Sequence, residues 1–441
     1  MKVQIYTLGC RLNKAESQQW LIRFQKIPDK FSVNRQVIII NSCSITGKAD
    51  KETRQLLRCL RRENLKAFIV ITGCWVENRL KNLNQFKIKE LAKQMGINLL
   101  VRNKDKDQLV EKVIKNLKRS RSSKRSSEII IAKDQFITAG RYFIKIQDGC
   151  DKFCTYCIVP FLRGRSQSVS VDKIVSQTQN LLKKEAREIT LTGVDIAQWK
   201  NRNERLGIKS KGLAGLLKKL LRETEISRIR LGSIYPEGIS KELLKLYVDN
   251  WPRLCRHFHI PIQSGCNRTL KRMNRRYTVE ELAKILKDIR KTVPGVNITT
   301  DIIVGFPGET EKEFEQSWKM IKKLKFGKIH VFRFSSRLGT RAAKMEKEWG
   351  KVPQKIKIQR SLRIRKLSRQ LEQQFKKQFI KKELPVLIEG RDKKGIFYGL
   401  SDNYLPVKIK LDSETNKQIG SLVNLKIQKI ENEILVGKCL N

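Results

Sequence analysis

The 441-residue chain predicts an α/β protein in three parts: an N-terminal doubly wound parallel sheet, a central partial or full parallel (β/α) barrel, and a small C-terminal antiparallel β-barrel. Three observations predict it. Short apolar runs alternate with helical stretches in the first part of the chain. Roughly six further strand–helix repeats follow between Phe136 and Met345, a span that suits a (β/α) barrel. The segment from Glu383 to Asn441 is strand-like and broken by spaced glycines. Strand alternating with helix argues for parallel strands covered by helices, and the length exceeds one ordinary domain.

The elements follow in order. Val3 to Leu8 is an apolar strand ending at Gly9-Cys10. Val37 to Ile40 ends at Asn41-Ser42-Cys43, and Phe68 to Thr72 ends at Gly73-Cys74. Helical stretches such as Lys51 to Arg62 fill the gaps. In open parallel sheets, ligands sit beyond the carboxyl ends of the strands, where all three cysteines fall. The stretch NLKRSRSSKRSS, from Asn116 to Ser127, is highly charged without apolar periodicity. It reads as a flexible linker or as a basic arm that contacts phosphate.

The central strands are Tyr142 to Ile146, Glu188 to Thr192, Arg228 to Leu231, His257 to Ile260, Asn297 to Ile303 and Lys328 to Phe332. Amphipathic helices separate them, for example Val171 to Lys184 and Val279 to Lys291. An open doubly wound sheet is the alternative to a barrel here. Val352 to Lys382 reads as a long basic helix. Gly390, Gly395, Gly399, Gly420 and Gly437 punctuate the tail as the turns and bends of a small barrel would. The expected division is 1–115, a basic linker 116–132, 133–348, a connecting helix 349–382, and 383–441.

The formal net charge is +51, from 94 Lys+Arg against 43 Asp+Glu. A field of this sign draws polyanions, and nucleic acid is the commonest polyanionic partner. A generally basic proteome is the plainer explanation of the charge alone. No run of about 18 apolar residues exists, so no membrane span is expected. The N-terminus, MKVQIYTLGC, lacks a signal-peptide hydrophobic region. A cytoplasmic protein is expected, with its ten cysteines reduced and available for metal or catalysis.

The densest chemical signal is Cys150-Asp151-Lys152-Phe153-Cys154-Thr155-Tyr156-Cys157, three thiols spaced C-x3-C-x2-C after a strand. Soft thiolates in so tight a loop suit an iron–sulfur cluster or zinc. A structural zinc normally takes four ligands, and no fourth Cys or His is nearby in sequence. Three ligands leave one iron of a cubane open for chemistry. A zinc loop with a remote fourth ligand is the alternative.

This spacing is that of radical S-adenosylmethionine (SAM) enzymes, and the likeness extends further. IQDGCDKFCTYCIVPFLRGRSQS, from residue 146 to 168, resembles the cluster loop of the tRNA and ribosomal-protein methylthiotransferase family. LGCRLNKAES, NSCSITGKAD and ITGCW resemble that family around Cys10, Cys43 and Cys74. So do ITLTGVDI (Ile189 to Ile196), HIPIQSGCNRTLKRMNRRYT (His259 to Thr278) and TTDIIVGFPGET (Thr299 to Thr310). The motifs cover nearly the whole chain and keep the family's order.

The resemblance implies two 4Fe–4S clusters. Cys150, Cys154 and Cys157 would hold one whose open iron takes the amino and carboxylate groups of SAM and cleaves it to a 5′-deoxyadenosyl radical. Cys10, Cys43 and Cys74 would hold the second, which serves sulfur insertion, and a second SAM supplies the methyl group. By position, Gly193 resembles the glycine turn near the SAM amino group, Gln263 a polar pocket residue, and Val304 and Gly305 the residues against adenine. Each also reads as an ordinary strand–helix turn. Where the family often carries Ser-Ile-Glu-Pro, this chain has Ser233-Ile234-Tyr235-Pro236, with Glu237 one place on. The usual acidic contact is therefore not expected from that strand in the usual register.

Cys59 lies in a helical pattern and is expected as a packed or exposed thiol. Cys255, Cys266 and Cys439 lack partners at metal spacing. His257, His259 and His330 are expected in core or pocket roles rather than as ligands.

Basic residues near the barrel mouth suit a phosphate-bearing substrate. The candidates are Arg163 and Arg165, then Lys271, Arg272, Arg275 and Arg276. Arg360, Arg363, Arg365, Lys366 and Arg369 follow on the long helix. A solvated charged face is the alternative. The tail resembles the TRAM domain, which binds RNA in related enzymes, with Lys408, Lys410 and Lys426 on its strands. The implied partners are tRNA and an electron donor of flavodoxin or ferredoxin type, and a monomer is expected. Within the family, Thr46-Gly47 after Cys43 resembles the branch that acts on threonylcarbamoyladenosine. The isopentenyladenosine branch tends to carry Arg-Glu there, and a third branch acts on an aspartate of a ribosomal protein.

Overall fold

In the structure, a computed structural model, residues 1–28, 35–81, 83–119, 130–131, 140–200, 212–410 and 418–440 are described. Most of the stretch read as a basic linker lies outside them. The chain forms two compact units. The first is Met1–Ile137 with Cys157–Arg165 and Ser335–Arg337, and the second is the remainder.

The first unit is built on strands β1 (Lys2–Thr7), β2 (Gln36–Ser42), β3 (Phe68–Gly73), β4 (Leu99–Val101) and β5 (Ile130–Ile131). All pair in parallel, in the order β4-β3-β2-β1-β5. Its helices are α1 (Arg11–Gln25), α2 (Gly47–Glu63), α3 (Cys74–Leu80), α4 (Gln85–Gln94), α5 (Leu109–Arg119) and the short α6 (Val159–Arg163). The run VIII in β2 is β-branched and buried throughout, as a strand covered on both faces requires. Val37 and Ile39 enter a core with Trp20, Phe24 and Val113. Ile38 and Ile40 enter a second core with Leu57, Leu60 and Trp75. Two cores fed by alternate residues make the sheet doubly wound. Helix α2 starts ahead of the expected Lys51, because the Thr46 side chain caps it by accepting from the Ala49 N–H.

The second unit opens with β6 (Arg141–Lys145) and a small antiparallel pair, β7 (Gln147–Asp148) with β8 (Gln167–Ser168). Strand and helix then alternate: α7 (Val171–Leu182), β9 (Glu188–Thr192), α8 (Gly212–Glu223), β10 (Arg228–Leu231), α9 (Lys241–Asp249), β11 (His257–His259), α10 (Asn267–Arg272), α11 (Val279–Thr292), β12 (Asn297–Val304), α12 (Glu311–Leu324) and β13 (Lys328–Arg333). Two parallel ladders, β6-β9-β10 and β11-β12-β13, are joined by the bridge between Ser233 and His259. Among the described residues β6 and β13 do not pair, so the expected barrel is a partial one. Thr278 with Glu281, and Thr310 with Glu313, form capping boxes that start α11 and α12.

Helix α13 (Arg341–Trp349) precedes α14 (Gln354–Lys377). The latter is shorter than the expected Val352 to Lys382. Pro353 has no N–H to give a helix interior and serves as its N-cap, while residues 378–382 turn into the next strand. The tail forms β14 (Glu383–Arg391), β15 (Phe397–Ser401), β16 (Pro406–Lys410), β17 (Leu422–Glu431) and β18 (Ile434–Cys439), closed in the order β14-β15-β16-β18-β17. Four pairings are antiparallel and β16 with β18 is parallel. Strand directions cannot alternate all the way round a ring of odd number, so one parallel pair is required. Val386, Ile388, Val407, Leu425 and Leu435 fill its interior.

This small barrel docks on the amino-terminal ends of the central strands. Glu188 takes Arg230 Nε at 2.7 Å and Arg228 at 2.9 Å. Arg230 also donates to the Asp402 and Ser401 carbonyls at 2.8 and 3.1 Å. The Asp402 carboxylate pairs with Arg256 at 2.6 Å. Burial pushes the Glu188 carboxyl up, but Arg230 and Arg228 override it and hold it at about 2.

Candidate active site

In the first unit, three adjacent strand ends each deliver a cysteine. Cys10 is the N-cap of α1, Cys43 follows β2, and Cys74 opens α3 directly after β3. The register aligns Thr7 with Asn41 and Asn41 with Thr72, so the three ends stand level. Two glycines make the approach possible. Gly9 has φ +91°, and a Cβ there would lie 2.6 Å from the Cys43 Cβ. Gly73 has φ +102°, and a Cβ there would lie 2.3 Å from the Ser42 carbonyl oxygen. No L side chain fits either position, which explains the Gly-Cys dipeptides.

Beneath these thiols lies a buried polar network. Asn13 donates to the Leu8 and Ser42 carbonyls at 2.8 and 3.0 Å. Glu16, 3 % exposed, takes Lys106 Nζ at 2.5 Å and Arg163 at 3.0 Å. Lys106 also reaches Asn41 Oδ1 at 3.1 Å, and Arg163 reaches Asn13 at 2.7 Å. Burial pushes the Cys43 thiol up to about 12 and raises Cys10 as well, Arg163 working against it. A thiol binds a metal centre only by giving up its proton, so loading these sulfurs releases protons.

In the second unit, Cys150 and Cys154 are buried in the loop after β7, and Cys157, half-buried, opens the segment that belongs to the first unit. The loop is pinned at Thr155. Its N–H donates to the Met273 carbonyl at 3.1 Å, its hydroxyl to the Arg272 carbonyl at 2.9 Å, and its carbonyl accepts from Ala342 at 2.8 Å. Gln198 donates to Cys150 Sγ at 3.6 Å. The Tyr235 hydroxyl lies 3.6 Å from Cys154 Sγ. Arg275 stacks over the Tyr235 ring at 4.4 Å and donates to the Tyr156 hydroxyl at 2.6 Å. Burial raises the Cys150 thiol. All ten cysteines are free of disulfides. Two trios of soft, buried or half-buried sulfur donors fit iron–sulfur clusters by donor chemistry.

The other predicted positions are placed as follows. A Cβ on Gly193 would meet Gln147 Oε1 at 2.8 Å. That oxygen accepts from the Val194 and Asp195 N–H groups at 2.9 and 3.0 Å, while Gln147 Nε2 holds the Gly149 carbonyl at 2.8 Å. Gln147 thus ties the Gly193 turn to the cysteine loop. Gln263, with φ +68°, is buried and bonds through its backbone to β12. Val304 is buried at the end of β12. Gly305, φ +74°, lies against Lys357, whose Cγ would be 2.4 Å from a Cβ there.

Several cations expected to face phosphate instead serve the interior. The Arg163 side chain is 2 % exposed on Glu16, and Arg275 is buried among Tyr156, Tyr235 and Tyr277. Arg272 binds Glu313 at 2.6 Å, and Arg360 binds Glu309 and Glu311 at 2.9 Å each. Arg363 stays exposed and pairs at the surface with Glu311 and Glu315. Arg165, Lys271, Arg276, Arg365, Lys366, Arg369, Lys410 and Lys426 are exposed, and Lys408 is half-buried. Cys59 is a helical thiol bonded to Glu63.

Sequence reasoning gave no role to Asn13, Glu16 and Lys106. The spacing of Asn13 and Glu16 from Cys10 along one helical face was an available signal. Lys106, far away in sequence, offered none.

Comparison with known proteins agrees with this architecture. Residues 144–321 match the Radical SAM superfamily and residues 2–93 match Uncharacterized protein family UPF0004. The threonylcarbamoyladenosine tRNA methylthiotransferase MtaB of Bacillus subtilis (strain 168) is 33% identical over 97% of this chain and 94% of its own length. The protein of the same name from Aquifex aeolicus (strain VF5) is 34% identical over 97% of this chain and all of its own. Ribosomal protein uS12 methylthiotransferase RimO of Clostridium botulinum (strain Hall / ATCC 3502 / NCTC 13319 / Type A) is 31% identical over 100% of this chain and 98% of its own. Among solved structures, the radical S-adenosylmethionine methyltransferase TsrM from Kitasatospora setae aligns with TM-score 0.50 and 13% identity. It covers 75% of this chain and 74% of its own, and at that identity the likeness concerns the fold. With relatives above 30% identity along nearly its whole length, and with both family models placed on the two cysteine-bearing regions, the chain belongs to the radical SAM methylthiotransferases.

Proposed function

We propose that this enzyme methylthiolates C2 of N6-threonylcarbamoyladenosine, 3′-adjacent to the anticodon in tRNA. Two separate thiol trios, one at three strand ends and one along the loop after β7, carry the reading. The relatives at 33% and 34% identity, both named for threonylcarbamoyladenosine tRNA, support the choice of substrate.

In this reading Cys150, Cys154 and Cys157 hold one 4Fe–4S cluster and Cys10, Cys43 and Cys74 the other. When bound, the first supplies an electron to SAM and the second serves the sulfur transfer. The chain's own residues position the parts. Gln147 fixes the Gly193 turn against the cysteine loop, where the SAM amino group would sit. Gln263, Val304 and Gly305 line the end of β12 for the adenosyl moiety. Burial of Cys150 and Cys154 keeps water from the sulfurs. The exposed cations Lys271, Arg276, Arg365, Lys366 and Arg369 suit the tRNA backbone, with Lys410 and Lys426 on the C-terminal barrel. A flavodoxin- or ferredoxin-type donor, a monomeric state and a cytoplasmic location complete the reading. No helix among the described residues is long and apolar enough to cross a membrane.

The test is nucleoside mass spectrometry after incubating anaerobically reconstituted protein, SAM and reductant with tRNA carrying threonylcarbamoyladenosine. The methylthio nucleoside is the expected product. Cys154→Ala abolishes both SAM cleavage and product, whereas Cys43→Ala keeps cleavage and loses product. Modification of isopentenyl tRNA or of a ribosomal-protein aspartate instead would reassign the branch.

A further inference from the structure

The three histidines of the chain were expected in core or pocket roles, yet two of them converge on one carboxylate. His259 ends β11, Asp301 lies in β12 and His330 in β13, three neighbouring parallel strands. Asp301 pairs in register with His330, and His259 pairs with Thr299, two residues before Asp301 on the same face. A diagonal and a direct neighbour therefore both reach the Asp301 carboxylate. One ligand atom from each residue lies within 4.8 Å of the other two. His259 Nε2 stands 3.2 Å from Asp301 Oδ2, and the two imidazoles meet edge-on at 5.7 Å.

We propose that His259, Asp301 and His330 form a binding site for a divalent cation of the zinc or iron(II) class, separate from both cysteine trios. Two imidazoles and one carboxylate are a ligand set that such cations take. Two donors bonded to one tetrahedral zinc at about 2.0–2.1 Å stand roughly 3.3 Å apart, close to the spacing between His259 and Asp301. The second layer also fits. Thr299 Oγ1 lies 2.9 Å from His259 Nδ1 and 3.0 Å from His257 Nε2. With Nδ1 engaged by that hydroxyl, the other ring nitrogen, Nε2, is turned towards Asp301 and is the atom a cation would take.

His259 is buried, Asp301 half-buried and His330 exposed, so one side is closed by protein and one is open. Two residues beyond Asp301 on the same face, Ile303 packs against the apolar cluster of Met273, Phe306 and Phe334 that Tyr156 of the cysteine loop also joins. The cation would stand on the face of the sheet that carries that loop. Its open positions would take oxygen or nitrogen donors of whatever molecule enters there.

The test uses the reconstituted holoenzyme, dialysed anaerobically against zinc and then desalted, with zinc and iron measured in the same sample. The wild type is expected to keep about one zinc per chain beyond its iron. Asp301→Asn, nearly isosteric, and His330→Ala, at an exposed position, are each expected to lose at least nine-tenths of that zinc with iron unchanged. Zinc absent from the wild type overturns the site, leaving a hydrogen bond between His259 and Asp301. Zinc retained equally by both variants overturns it too. Neither result bears on the tRNA substrate, because no tRNA is present.

Discussion

Replacing Glu188 by Gln tests whether the C-terminal barrel and the central sheet are held together by buried charge. Glu188 is fully buried and faces two guanidiniums, Arg230 at 2.7 Å and Arg228 at 2.9 Å, both within 2 % of full burial. Burial alone would raise its carboxyl, but the two arginines, Arg230 foremost, hold it at about 2 against an ordinary 4.5. At roughly 1.4 kcal/mol per pH unit, that displacement stabilises the folded state by about 3 kcal/mol. The sign follows from linkage. A depressed carboxyl contributes fully above pH 4.5, and the contribution fades as pH falls towards 2. Glu188→Gln keeps the shape and one hydrogen-bond acceptor but leaves two buried cations without a counter-charge, a class of change that costs about 3–5 kcal/mol. Urea unfolding of the chelated, metal-free protein at pH 7 is expected to show a deficit of about 3 kcal/mol in the variant. Repeated at successively lower pH, the deficit should shrink below pH 4.5 and nearly close by pH 2. A deficit that is constant from pH 7 to pH 3 would refute the electrostatic account and leave only lost packing.

Three further outcomes are expected. Gly73→Ala places a Cβ 2.3 Å from the Ser42 carbonyl at φ +102°, so the first unit should lose about 3 kcal/mol or more. Iron analysis should show the Cys10–Cys43–Cys74 site depleted and the other retained, and full iron content would contradict the strand-end geometry. Lys106→Met strips one of the two cations from buried Glu16 and should cost about 3 kcal/mol in the same unfolding assay. A loss under about 1 kcal/mol would mean that Arg163 alone satisfies the carboxylate. Tyr235→Phe removes the hydroxyl 3.6 Å from Cys154 Sγ. Hydrogen bonds to cluster sulfur tune its potential, so the midpoint of that cluster should fall in an EPR-monitored redox titration. An unchanged midpoint would confine Tyr235 to packing under Arg275.

Much of the fold was legible because its signals are local. The apolar runs that end at Cys10, Cys43 and Cys74 are strands for reasons contained in their own residues, and the six central strands fall within a residue or two of expectation. The parallel pairing of β16 with β18 was not, since it follows from closing an odd ring and not from either strand. The fate of the cations was equally hidden. Arg163 and Arg360 read as surface charge because Lys and Arg usually are, whereas here Glu16 lies 147 positions from Arg163 and Glu309 lies 51 from Arg360. Separation in sequence also hid Tyr235 from Cys154, 81 positions away. Gly193 and Gly305 were legible as glycines under constraint, but the atoms that crowd them, Gln147 and Lys357, come from elsewhere in the chain.

The placing of Cys10, Cys43 and Cys74 on three neighbouring strands has a consequence for how the first unit is assembled. The ladders that pair Lys2–Thr7 with 36–41 and 37–42 with Phe68–Gly73 have an apolar core on each side and contain none of the three cysteines. Small zinc modules, which have little apolar core of their own, are unfolded until the ion arrives. In the reading proposed above, the scaffold would precede its cargo: chelation is expected to strip the inorganic centre and leave the polypeptide standing, ready to be charged again.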